Sequence, residues 1–153
     1  MDAPLPPLLD DSLWPLVRVT LPRGLTLERS EELLDAVRAC LRREERHVYL
    51  MDMRAVHALS SEQRARMGAF LREEAEGMRR WCMGIVGLIN SPTLAVMARL
   101  LIHHVKPSTV PYSVLASWPA AVDWVAERLE VNGRQAQARL AREHLLAPPC
   151  SRT

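Results

Sequence analysis

Two stretches of this chain, His47 to Met53 and Cys82 to Ile89, are short runs in which nearly every residue is apolar, and each leads into a segment of helical periodicity. Runs of this length that bury both faces suit central strands of a parallel sheet, because parallel strands are flanked by their crossover helices. Trp14 to Leu21 alternates Leu16, Val17, Val19 and Leu21 with polar positions, as a strand near a sheet edge does. With a fourth short run at 111–116, the strand and helix order predicts an α/β domain. Its four-stranded, mainly parallel sheet, on 14–21, 47–53, 82–89 and 111–116, is joined by right-handed crossovers.

The helical segments carry their own start and stop signals. From Thr26, Leu27, Leu33, Leu34, Val37 and Leu41 recur at three- and four-residue spacing, and Glu28, Glu31 and Glu32 fall in the early turns where the helix dipole favours acids. Ser60 and Gln63 have capping-box spacing and predict a second helix with an inner face of Met67, Phe70, Leu71, Ala75 and Met78. Ser91-Pro92 opens a third helix running to about Val105, and Ser117-Trp118-Pro119 opens a fourth ending at Leu129. The expected organisation is a flexible leader over 1–12, the α/β domain over 13–130, an extra C-terminal helix over 131–146 and a disordered tail over 147–153.

Composition narrows the function classes. A chain of 153 residues fits one domain. Its net charge is +2, and its arginines are interleaved with glutamates rather than gathered in a run, so no nucleic-acid footprint is expected. Cys40, Cys82 and Cys150 are far apart and odd in number, which argues against a zinc site or a disulfide framework and suits a reducing cytoplasm. The start is acidic and broken by prolines, unlike a secretory signal, and the longest apolar runs fall short of the roughly 20 residues that span a bilayer, so no transmembrane segment is expected. The five histidines show no metal spacing. Cys82 has no general base beside it and reads as a small buried hydrophobe. With no nucleophile and base pair, metal set or phosphate loop, a non-enzymatic protein without a cofactor is expected.

Two regions are candidates for binding. Asp52 ends a central strand, where open α/β sheets place their ligand sites, and the loop after it leads to the second helix. Asp52, Arg54, His57, Ser60, Ser61, Glu62 and Arg64 would together form a surface for a protein partner. The plainer role for Asp52 is to bond the loop's amides, and for the serines to cap the helix. The third helix is apolar over an arc wider than one sheet face needs, with Leu94, Met97, Leu101 and Val105 on it. Either the C-terminal helix covers the surplus, or it is a patch for a partner subunit (a homodimer among them), a lipid chain or an apolar ligand.

The strand order and the segment from Asp52-Met53-Arg54-Ala55 through Val56 to Leu59 and Ser60-Ser61-Glu62 resemble the STAS superfamily, the anti-sigma-factor-antagonist or SpoIIAA-like proteins, over about residues 14–129. In that family a strand ends in Asp-x-Ser/Thr-Gly, an apolar loop follows, and Asp-Ser-Ser/Thr-Gly opens a helix. Here Ser60 stands in place of the second Asp, and Glu62 and Gln63 replace the second hydroxyl and the glycine. The resemblance implies a regulatory, partner-binding module and places Ser61 at the phosphorylatable position. A phosphate there would meet the free amides of a helix N-terminus. Folds related to this family also resemble lipid carriers, which implies a pocket beneath the third helix.

Overall fold

The computed structural model describes residues 5–105 and 109–146, the side chains of 104 and 105 excepted. In chain order its elements are β1 (Leu9–Leu13), β2 (Leu16–Thr20), α1 (Leu27–Leu41), β3 (His47–Asp52), α2 (Ser61–Glu73), α3 (Ala75–Trp81), β4 (Cys82–Leu88), α4 (Pro92–Val105), β5 (Tyr112–Leu115), α5 (Trp118–Val131) and α6 (Gln135–Leu146). The five strands lie side by side in the order β1-β2-β3-β4-β5, antiparallel between β1 and β2 and parallel thereafter.

Strand order that follows sequence order has a consequence. Successive right-handed crossovers in one direction leave every connecting helix on the same face. Leu33, Leu34, Phe70, Leu71, Met78 and Leu94 from α1 to α4 accordingly pack with Val17, Val19, Tyr49 and Ile85 of the strands. The alternate strand residues, Leu16, Val48, Leu50, Val86 and Leu88, face the other way and pack with Val122, Val125 and Leu129 of α5 and Ala138, Ala141 and Leu145 of α6.

The sheet has five strands, not the four expected from sequence, because residues 9–12 of the expected leader, together with Leu13, form β1. Leu8 is buried, and Asp10, opposite Arg18 in the hairpin register, pairs with its guanidinium at 3.1 Å and accepts from the Ser12 amide. Trp14 and Pro15, joined by a cis peptide bond, lie between β1 and β2 rather than in a strand. The second predicted helix breaks at Glu74, whose φ of −98° and ψ of 13° separate α2 from α3. The C-terminal helix exists as α6, but it packs on α5 across the sheet from α4 and so does not cover α4. The tail over 147–153 lies outside the described residues.

Two details show how local chemistry fixes the sheet. Gly84 lies against α5: a Cβ there would stand 2.7 Å from Cη2 of Trp124, so a side chain is excluded by the indole. At Gly87 a Cβ would meet only Ile89, at 3.6 Å. At the other end of the strands His47 is fully buried. Its Nδ1 donates to the Glu45 carbonyl at 2.8 Å, which leaves Nε2 to accept from the Tyr49 hydroxyl at 2.8 Å. Trp14 stacks on the ring, and Arg43 lies 3.6 Å over Trp14. Burial lowers the His47 pKa against the opposing pull of the Glu45 carbonyl.

Candidate functional site

The loop after β3 and the start of α2 are held by short-range bonds. Asp52 accepts from the Arg54 amide at 3.1 Å and takes its guanidinium in a fork at 3.0 and 2.9 Å. Burial pushes the Asp52 carboxyl upward, yet these bonds outweigh it and hold the carboxyl below its usual range. Arg54 in turn lies 5.4 Å over the Trp118 ring at the start of α5. Asp52 is thus engaged by its own loop, the plainer of the two roles its position allows.

Ser60 and Gln63 form the full capping box: the Ser60 hydroxyl accepts from the Gln63 amide at 3.0 Å, and the Gln63 side chain accepts from the Ser60 amide at 2.9 Å. The amide nitrogen of Gln63 also donates to the Leu25 carbonyl at 2.6 Å, tying α2 to the segment before α1. Ser61, Glu62 and His57 are exposed. The Ser61 hydroxyl makes no described hydrogen bond, and it sits on the first residue of α2, where backbone amides are still free.

Beneath this surface the chain opens a cleft of about 110 Å³ between α2, α4 and the sheet. Met51 and Met53 come from β3 and the residue after it, Leu59 from the loop, Met67 and Leu71 from α2, Ile85 from β4, and Leu94, Met97, Ala98, Leu101 and Ile102 from α4. Arg64 is the one charged residue among the described residues lining it. It is exposed, so it stands at the open end, with Nη1 3.9 Å from the Met97 sulfur. A second, smaller cavity of about 50 Å³ lies deeper, among Val19, Val37, Tyr49 and Phe70. Met51, Met67, Leu71 and Ile85 border both and form the partition between them.

Of the apolar residues expected on the third helix, Leu94, Met97 and Leu101 line the cleft, while the side chain of Val105 lies outside the described residues. Val96 and Leu100, one turn apart on α4, are 53% and 54% exposed and leave part of the helix's apolar surface open. Sequence reasoning placed Arg64 only on the partner-facing surface and left Met51, Met53, Met67 and Ile85 out of any site. The signal for the methionines was there. Unbranched, polarizable side chains at alternate strand positions and on the facing helix make adaptable walls.

Among the described residues lining the cleft there is no Ser, Thr, Cys, His, Asp or Glu. Cys82 is buried, its thiol pushed up to about 12 by burial, and it donates to the Gly84 carbonyl. Among the described residues no group of three or more His, Cys, Asp or Glu could hold a metal ion, and no helix is long and apolar enough to cross a membrane. No protein-family model matches the chain, and neither a curated protein nor a solved structure matches it.

Proposed function

We propose that the protein is a STAS-like, non-catalytic binding domain whose working site is the cleft between α2 and α4, and that its ligand is a small apolar molecule. The observation that carries this reading is the cleft itself, walled by Met51, Met67, Leu94, Met97 and Leu101. Pockets for drug-sized ligands occupy about 300–1,000 Å³. A cleft of about 110 Å³ selects for something much smaller. The buried free thiols of Cys40 and Cys82 suit a reducing, cytoplasmic setting for such a domain.

The test is extraction. Protein purified in the folded state from its native host is denatured, and the released small molecules are compared by mass spectrometry with those from Ala98→Phe, which fills the cleft. A compound present in the wild type and missing from the variant is the expected result; identical extracts would contradict the proposal.

A second reading, a protein partner docking on the start of α2, is favoured by one observation: the exposed Ser61 hydroxyl on the first residue of the helix has no bond of its own to lose. Adding nearly two negative charges there would alter the docking face while the free amides of the helix start accommodate the phosphate. In this reading Ser61→Asp weakens capture of an identified partner at least several-fold. Equal capture by the wild type, Ser61→Asp and Ser61→Ala would remove it.

A further inference from the structure

The described residues lining the cleft are apolar but for one, a cation at its open end. Resting on the reading of the cleft as a ligand site, we propose that its occupant is a small anionic amphiphile, an aliphatic carboxylate of about six carbons, with the carboxylate on Arg64 and the tail directed past Met51 and Met67 into the deeper cavity. Three features carry the proposal.

First, no acid is among the described residues lining the cleft, so the Arg64 guanidinium meets no competing carboxylate among them. Its described contact is the Met97 sulfur at 3.9 Å, whereas Arg54 and Arg66 nearby in sequence are forked onto Asp52 and Glu31. A guanidinium presents paired N–H donors that match a carboxylate in a fork, so a free one at the mouth of an apolar hole selects an acid over an alcohol.

Second, the partition between the two cavities is built from side chains that can move aside. Met51 and Met67, which line both spaces, have three rotatable bonds each, so in this proposal their side chains, rather than the backbone, give way to the tail. The two volumes combined are comparable to the roughly 150 Å³ at which an apolar cavity takes up benzene, which sets the tail at about six carbons. Third, the inner end offers no polar reward. Tyr49, which borders the deep cavity, already donates its hydroxyl to His47, and the other described lining residues there are apolar, so the far end of the ligand has to be apolar.

The experiment titrates protein carrying ¹³C-methyl methionine with hexanoate, butanoate and 1-hexanol at pH 7, following the methyl resonances of Met51, Met67 and Met97. Hexanoate is expected to bind about two- to fivefold more tightly than 1-hexanol, the scale of an ion pair made at a solvent-exposed guanidinium. In Arg64→Gln, with the ligand-free methyl spectrum recorded as the check on its fold, that gap closes. Affinity should rise from butanoate to hexanoate, with Met51 and Met67 shifting along with Met97. If 1-hexanol binds as tightly as hexanoate, or Arg64→Gln keeps the preference, the anionic head is wrong while the cleft remains a ligand site. If hexanoate gains nothing over butanoate, the tail path is wrong. If none of the three probes moves the methyl resonances, the cleft is not a ligand site at all.

Discussion

The two faces of the sheet are packed to different standards. Against α5, Val48, Leu50, Val86 and Leu88 meet Ala121, Val122, Val125, Ala126 and Leu129, and every one of these is 0% exposed. Against α1 to α4, the corresponding layer holds both cavities, is walled in part by methionine, and ends in the half-open α4 with Leu100 and Val96 exposed. Small and β-branched residues on α5 let the helix settle close to the strands, as the Trp124 contact on Gly84 shows. One face is spent on stability. The other keeps space that a fully packed core of this size would close.

The largest expected effect of that difference is on core truncation. Leu50→Ala and Leu129→Ala, both on the α5 side, should each cost about 2–5 kcal/mol in chemical denaturation because the removed volume cannot be refilled. Met97→Ala and Leu101→Ala, half-buried at the cleft, should cost about 1 kcal/mol or less. Equal losses on the two sides would erase the comparison. Next in size is Gly84→Ala, where the new methyl meets the Trp124 indole and the expected cost is about 1–3 kcal/mol by overpacking. Gly87→Ala, where the new methyl would make ordinary contact with Ile89 at 3.6 Å, should stay within about 0.5 kcal/mol of wild type.

Acid sharpens the picture at the lower end of the strands. Burial lowers the His47 pKa from its ordinary 6.5, so on acidification the unfolded chain binds a proton that the folded chain refuses. Stability from this group is complete above about pH 6.5 and falls below it, by up to about 1.4 kcal/mol per pH unit, until the folded-state pKa is reached. His47→Phe should flatten that part of the denaturation profile between pH 6.5 and 5. An unchanged slope would show that another group carries it. The smallest effect belongs to Ser61→Asp: an acid in the first turn of α2 suits the helix dipole, so the melting temperature should move by no more than the equivalent of about 0.5 kcal/mol.

The central strands were legible because a run such as Val48-Tyr49-Leu50-Met51 has one physical solution, burial between two layers, and the capping box at Ser60 because its two bonds need only local spacing. β1 was not legible. Its sequence, Leu-Asp-Asp-Ser-Leu, has weak strand preference and is stabilised by hairpin pairing with β2 and by the Asp10 to Arg18 ion pair, which are properties of the partner strand. The break at Glu74 has no glycine or proline to announce it. For the site, the wide apolar arc of α4 pointed to surplus surface, and Leu94, Met97 and Leu101 were named from it. Which layer lay opposite depended on α6 docking on α5 rather than on α4, a choice that the amphipathic pattern of α6 alone does not encode. Arg64 was read as surface for the same reason: its place at the mouth of a cleft exists only once α4 has packed beside α2.

Xenon is the most direct probe of the claim that one face of this sheet is packed for stability and the other kept open for a ligand. Crystals pressurised with the gas should show xenon in the cleft between Ile85, Leu94 and Met97, with the α5 side empty of it. Xenon absent from the cleft, or bound instead between the sheet and α5, would contradict the account.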